Sequence, residues 1–305
     1  VRLLLIVNAS ASSVTPRGRV VIQKALGADH DVTTAETSRR GHAARLAQGA
    51  AVDGLDAVVV LGGDGTLNEA ANGLAGTQTA LGVLPGGSTN VFARTIGASV
   101  DPIEATGQLL AAMTRGSRRR IGLGQVNGRY FLFHVGMGFD AAVVDQVERR
   151  ADLKRYIGHS LFVYAAVVTW LRHYDHRQPR LTVQLDQEAE GIPSYLAICL
   201  NTNPYTFLGP RRLNLAPDAT LDGPLTLVNF RTLRFGNVAG VVMSALGSGR
   251  WARNHPRIDY RRDVHALVVS ARDQPFPYQV DGDFVGDADR LELRYEPATL
   301  EVFMP

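Results

Sequence analysis

A short apolar, β-branched run, Ala57-Val58-Val59-Val60, enters a turn that reads Leu61-Gly62-Gly63-Asp64-Gly65-Thr66 and leads into a helical pattern. A run of that kind, without polar alternation, marks a strand buried on both faces of a parallel sheet. Strand, glycine turn and helix in that order commit this part of the chain to an α/β layer, with a ligand loop at the C-terminal end of a strand. The three glycines allow positive φ and remove every Cβ that would hold a ligand off the backbone, so their amides can face an anion. Asp64 is a poor phosphate ligand but suits a Mg²⁺ ion or the proton of an attacking hydroxyl. A tight strand-to-helix turn explains the glycines but not the Asp and Thr among them.

Strands expected over 2–7, 31–34, 57–61 and 80–84 alternate with helices over 19–26, 42–52, 67–74 and 103–115, an α/β pattern with a mostly parallel sheet. Asp101-Pro102-x-Glu104 supplies a cap, a first-turn proline and an acidic third position for the last of these helices. After Arg120 the pattern changes. Asn127-Gly128 predicts a hairpin between 124–126 and 130–135. Further strands are expected over 181–185, 195–200, 225–230, 266–270 and 291–295. The domain division drawn from this change is 1–118, an α/β domain, and 119–305, a β-rich domain.

Several classes are excluded. Cys199 is the one cysteine, so neither an internal disulfide nor a multi-cysteine zinc site is available, which fits a reducing compartment. Lys24 and Lys154 are the only lysines, and no Gly-x4-Gly-Lys-Ser/Thr occurs, so the chain is not read as a P-loop NTPase. The eight histidines come with no His-Glu-x-x-His or Gly-x-Ser-x-Gly pattern, which argues against hydrolase chemistry. The apolar start, 3–7, is short and reads as a first strand rather than a signal peptide, so a cytoplasmic location is expected. Arg118-Arg119-Arg120 reads first as the solvated start of a domain-crossing strand. Arg149, Arg150, Lys154 and Arg155 precede the most apolar stretch, 161–171, which is too short to span a bilayer. A buried helix is the first reading of that stretch. An interfacial helix with a basic cluster, giving peripheral membrane association, is the alternative.

The Gly62-Gly63-Asp64-Gly65-Thr66 turn resembles the signature shared by diacylglycerol and sphingosine lipid kinases, NAD kinases and phosphofructokinases. Pro85-Gly86-Gly87-Ser88-Thr89-Asn90-Val91-Phe92-Ala93-Arg94 resembles the second nucleotide loop of the diacylglycerol-kinase-like lipid kinases. Thr37 with Gly41-His42-Ala43, and Val280-Asp281-Gly282-Asp283, extend the likeness over essentially the whole chain. The Ser-Thr-Ala-Tyr loop of NAD kinases is not found. The chain departs from the pattern after Asn8, where Ala9 replaces a proline; at Ser88 and Val91, which are closer to the sphingosine- and ceramide-kinase form; and at Asp283, where the family carries Glu as the proposed base.

The resemblance implies an NAD-kinase/phosphofructokinase-like α/β domain that binds the nucleotide, followed by a β-sandwich domain for the lipid substrate, with the last strands, 299–303 among them, returning to the first domain. It implies ATP as co-substrate, Mg²⁺, and phosphorylation of a lipid hydroxyl, diacylglycerol to phosphatidic acid foremost. Another acceptor, a sphingoid base or NAD, and a non-catalytic nucleotide or lipid sensor remain open. The residues carried over for the nucleotide are Asn8, Thr37, Gly62, Gly63, Gly65, Thr66, Gly87, Ser88 and Asn90. Asp64 and Asp283 are the catalytic candidates. Asp64, Asp140, Asp281, Asp218 and Asp222 are the metal candidates. Asp140 has an almost equal alternative as a helix cap, and for Asp218 and Asp222 a plain Asp-rich turn is the first reading. The expected partners are a lipid alcohol and a membrane surface, with no nucleic acid; a homodimer is left open.

Overall fold

A computed structural model of the protein describes residues 1–149, 168, 169, 174, 178–186 and 188–305. They fall into two compact units, Val1–Leu123 with Glu296–Pro305, and Gly124–Tyr295. Arg150, Lys154, Arg155 and the apolar stretch 161–171, apart from 168 and 169, lie outside the described residues. Arg149 is exposed and pairs with Asp145 one helical turn before it. No described helix is long and apolar enough to cross a membrane.

The first unit holds β1 (Arg2–Val7), α1 (Pro16–Gly27), β2 (Asp31–Glu36), α2 (His42–Val52), β3 (Ala57–Gly62), α3 (Asp64–Leu74), β4 (Ala80–Pro85), α4 (Val91–Thr95) and α5 (Pro102–Arg115). Its four strands are parallel in the order β2-β1-β3-β4, and Val302, near the C-terminus, lies parallel beside Leu81 of β4. Leu5, Val7, Val59, Leu61 and Leu84 of the sheet are buried with Ile22 and Leu26 of α1 and Leu109 and Ala112 of α5. On α3, a Cβ on Gly73 would meet the backbone oxygen of Ala44 and the side chain of Ala47, so this helix packs on α2 only because the position is bare.

The helix starts show which local signals acted. Asp101 accepts from the amides of Ile103 and Glu104, both at 2.9 Å, as the cap pattern predicts. α1 begins earlier than expected, because Thr15 caps it through the Gly18 amide at 3.0 Å and Pro16 fills the first turn. α2 has no side-chain cap of its own. Glu69 of α3 accepts instead from Gly41 N at 2.7 Å and Ala43 N at 3.2 Å. The arginine run at the start of β5 (Arg118–Val126) is not simply solvated. Arg118 lies over the Phe303 ring at 4.9 Å and 3.6 Å from Glu301, while Arg120 donates to Ala298 O at 2.7 Å and to Gln78 and Thr77. The run clamps the C-terminal residues onto the first unit.

The second unit is a β-sandwich with helical additions. One sheet is antiparallel in the order β14 (Ile258–Val264), β13 (Leu225–Phe230), β10 (Leu196–Leu200), β7 (His134–Gly138), β16 (Phe276–Val280), β17 (Asp283–Ala288). Against it lie β15 (Ala266–Ala271), β8 (Leu181–Leu185) and β9 (Ile192–Ser194), the first half of β18 (Arg290–Phe303), and the hairpin of β5 with β6 (Arg129–Phe131). Val135, Met137, Cys199, Leu227, Phe276 and Val280 of one sheet are buried with Leu181, Val183, Leu267, Val269, Leu291 and Leu293 of the other. A small hairpin pairs β11 (Thr206–Leu208) with β12 (Arg211–Leu213). Among the described residues, the helices of this unit include α6 (Phe139–Glu148), α7 (Phe235–Ala245) and α8 (Arg250–Asn254).

Asn127 and Gly128 turn at φ 46 and 86, as the hairpin signal requires. The strand expected over 130–135 is two strands in different sheets, because the chain changes sheet at Leu132 and Phe133.

Candidate active site

The candidate nucleotide residues of the first unit gather at the C-terminal ends of its parallel strands. Asn8 follows β1, Thr37 follows β2, Gly62 to Thr66 close β3 and open α3, and Gly87, Ser88 and Asn90 follow β4. Since β1 pairs with β2 on one side and β3 on the other, the order reverses there, and open sheets of this kind form ligand crevices at such a point. Asn8 donates to Thr66 Oγ1 at 2.9 Å and accepts from Ser10 N at 3.1 Å, tying the first loop to α3. The Thr37 amide donates to Val7 O at 2.9 Å.

The glycines act through contact rather than φ. Gly62, Gly63 and Gly65 are not among the positive-φ residues, which corrects the expectation from sequence; Gly63 sits at φ −85. A Cβ on Gly86 would stand 2.8 Å from the Gly62 Cα, and one on Gly87 2.9 Å from the Gly63 Cα. The two glycine pairs thus lie backbone on backbone, joined by Gly86 N to Gly62 O at 2.8 Å. Asn90 fixes the second pair: its Oδ1 accepts from Gly87 N at 2.8 Å and its Nδ2 donates to Gly87 O at 2.7 Å, with its own backbone at φ 51. Ser13, which sequence reading missed, donates to Gly86 O and Gly87 O from the other side. What results is a surface of main-chain groups at the N-terminus of α3, the end of a helix whose dipole favours an anion. Ser88 is exposed at its edge.

Asp64 sits in the first turn of α3. Its Oδ2 accepts from Val91 N at 2.9 Å and its Oδ1 from Phe92 N at 3.2 Å, so the carboxylate caps α4 and joins the two glycine loops.

The remaining carboxylates belong to the second unit. Asp281 and Gly282 form a two-residue turn at φ 50 and 83 between β16 and β17, with Val280 opposite Asp283. Asp281 is buried and accepts from Leu132 N at 2.7 Å, Phe133 N at 2.9 Å and His134 N at 3.0 Å. It satisfies the amides freed where the chain changes sheet, so its burial is accounted for without the cation expected there. Asp283 opens β17 and is half-buried. Asp140 is the second residue of α6, whose cap is Gly138, so it is not the helix cap weighed from the sequence. It accepts from Tyr205 Oη at 2.7 Å and Gln279 Nε2 at 2.8 Å, and a Cβ on Gly136 would collide with it. Burial raises the Asp140 carboxyl above the usual range, while the two hydrogen bonds act the other way. Burial also raises the Tyr205 phenol, with the Asp140 charge adding to it. Gln279 Oε1 accepts from Gly282 N at 2.8 Å, linking Asp140 to the turn. Next to Tyr205, His134 is pushed down to about 3 by burial, and its ring lies 4.2 Å from the phenol ring.

Asp218 accepts from Tyr260 Oη at 2.8 Å and faces Arg253 at 3.4 Å and Arg262 at 3.8 Å, which favours the structural-turn reading over a metal site. Asp222 is exposed in the turn that precedes β13. Among the described residues, no group of three His, Cys, Asp or Glu converges as a metal cage. Magnesium held on nucleotide phosphates needs only one or two carboxylates, so that criterion does not bear on it.

Residues 2–126 match the family model of the diacylglycerol kinase catalytic domain. The chain is 42% identical over 122 residues to the diacylglycerol kinase of Bacillus subtilis (strain 168), a match covering 39% of each chain. It is 32% identical over 305 residues to the "Probable lipid kinase YegS-like" of Pseudomonas aeruginosa (strain PAO1), covering 99% of this chain and 94% of that one. The crystal structure of a diacylglycerol kinase from Bacillus anthracis superposes with a TM-score of 0.76 at 21% identity, covering 100% of this chain and 97% of the other.

Proposed function

The chain belongs to the diacylglycerol-kinase-like lipid kinase family, and from that premise we propose that it transfers the γ-phosphoryl group of ATP to the hydroxyl of diacylglycerol, giving phosphatidic acid and ADP. The observation that carries the nucleotide half is the stack of Gly62-Gly63 on Gly86-Gly87, which fixes two side-chain-free loops at the head of α3 so that a polyphosphate can approach the start of that helix. The B. subtilis relative, named a diacylglycerol kinase, supports the choice of acceptor.

Phosphoryl transfer asks the protein to hold a charged triphosphate, align an oxygen nucleophile and receive its proton. Main-chain amides of Gly63, Gly65 and Thr66 bind the phosphates, with Gly62, Gly87, Ser88 and Asn90 shaping the second wall and Asn8 and Thr37 nearer the nucleoside. Asp64 fits a Mg²⁺ ion carried by ATP, because the amides of Val91 and Phe92 hold its carboxylate in place in the first turn of α3; the ion would supply neutralisation of phosphate charge. Asp283 takes the acceptor proton as the hydroxyl oxygen bonds to phosphorus and the bond to the β-phosphate oxygen breaks. Asp140 stays near Tyr205 and Gln279 as a positioning group for the Gly282 turn.

The test is incubation of the protein with labelled ATP, Mg²⁺ and either a total lipid extract or NAD. Label in the organic phase, in a product comigrating with phosphatidic acid, is expected. Label moving only with NAD, or ATP bound without transfer, would replace this reading.

A further inference from the structure

We propose that α7 and α8 form a docking surface that lies flat on an anionic lipid bilayer. α7 carries no charged residue from Phe235 to Ala245. One side is used internally: Val241 and Ala245 are buried, and Val241 joins the core with Leu233, Ala252 and Ile258. The other side is apolar as well yet faces outward, with Phe235 63%, Val242 44% and Met243 68% exposed. α8 adds Trp251, 41% exposed, whose ring occupies the space beside Gly240, so the two helices present one apolar face. A contiguous exposed apolar patch of this kind marks a docking site.

Charge decides the occupant. Arg234 is the N-cap of α7, Arg250 and Arg253 lie on α8, and Arg231 and Arg257 flank the two helices along the chain with Arg231 N donating to Arg257 O at 3.0 Å; all five are exposed, and no Asp or Glu occurs between Asp222 and Asp259. Among the described residues, Arg253 with Asp218 is the only ion pair these five make. A second copy docking through the same face would set arginine against arginine, as two-fold contacts do. Phosphate headgroups complement it, with aromatic and Met side chains entering the acyl boundary. At roughly 16 Å, α7 is too short to cross the roughly 30 Å hydrocarbon layer and suits the interface plane. The identity of the surface as a membrane rests on the lipid-acceptor reading above.

The experiment measures partition onto vesicles of phosphatidylcholine with and without phosphatidylglycerol. Binding should need phosphatidylglycerol and fall with added salt. The triple variant Arg234→Gln, Arg250→Gln, Arg257→Gln should bind roughly 100-fold more weakly. The double variant Phe235→Ser, Met243→Ser should lose at least about 10-fold. Both should phosphorylate a dispersed short-chain diacylglycerol as the parent does. Hydrogen exchange on the unmodified protein gives an independent reading, slowed over 235–257 by phosphatidylglycerol vesicles. Equal binding to both vesicle types, variants that bind as tightly as the parent, or a dimer that the double variant dissociates would overturn the proposal. Vesicle binding by a protein that phosphorylates no lipid would sink the acceptor reading and leave this surface standing.

Discussion

The glycine loops of the first unit and the buried carboxylates of the second are held by opposite means. In the loops, Gly62-Gly63 and Gly86-Gly87 come together because nothing projects from them, and backbone meets backbone. In the second unit, Asp281 and Asp140 are held by donors from distant parts of the chain: Leu132, Phe133 and His134 for one, Tyr205 and Gln279 for the other. A site made of backbone is sensitive to one added carbon. A site made of carboxylates is sensitive to exchanging one oxygen for an amide nitrogen at constant shape. Asp64 belongs to both kinds, a carboxylate whose partners are the amides of the loop it organises.

The sharpest separation is expected at Asp283. Its change to Asn should cut transfer to lipid by about 10²–10⁴-fold while leaving ATP affinity nearly unchanged, and Asp283→Glu should retain measurable turnover. Lost ATP affinity in the Asn variant would move this residue to the nucleotide side. Asp64→Asn should lower turnover by roughly 100-fold. It should also loosen α4, since an amide nitrogen cannot accept from Val91 or Phe92; wild-type turnover in a folded variant removes Asp64 from the chemistry.

Asp281→Asn should act on stability instead. Replacing one acceptor oxygen by a donor in a buried nest of three amides is expected to cost about 3 kcal/mol, read by denaturant unfolding. A loss well under about 1 kcal/mol would mean the turn holds without its carboxylate. Gly86→Ala should cost about 1–3 kcal/mol and raise KM for ATP, because the Gly62 backbone must give way. Gly116→Ala is the control: at φ 65 with open space around it, it should cost about 1 kcal/mol with KM unmoved. Equal KM shifts in the two variants would break the claim that the loops work by contact.

The smallest effect at neutral pH concerns His134. Its folded-state value, about 3, lies below the ordinary 6.5, so between those limits the unfolded chain binds the extra proton. Its contribution is therefore present above pH 6.5 and lost as pH falls toward 3. His134→Gln should flatten the stability slope in that window by about one proton, near 1.4 kcal/mol per pH unit. Parallel slopes for the two proteins would place that proton elsewhere.

How much was legible follows local chemistry. β1, α2, β8 and β13 match their expected ranges, because each announces itself through an apolar run, apolar/polar alternation or a helical period. β14, β16, β17, α7 and α8 were not foreseen. β16 contains Pro277, β17 bends at Gly286 with φ 143, and α7 carries two glycines, so in each the local preference is weak and sheet pairing or core contact decides.

What the sequence by itself determined is the α/β layer, the hairpin at Asn127-Gly128 and the position of the glycine loops, since strand, glycine turn and helix are neighbours along the chain and need no distant partner. Tertiary structure alone decided that the loop glycines serve close approach rather than positive φ, that Glu69 caps α2, that Arg118 and Arg120 clamp the C-terminal residues, and that Asp281 is enclosed by the amides of Leu132 to His134. Each of these is a contact between residues about thirty to nearly two hundred positions apart or, for the glycines, between two loops that only sheet pairing brings together. Nothing in a residue's own neighbourhood encodes which distant donor will reach it; the packing of the layers does.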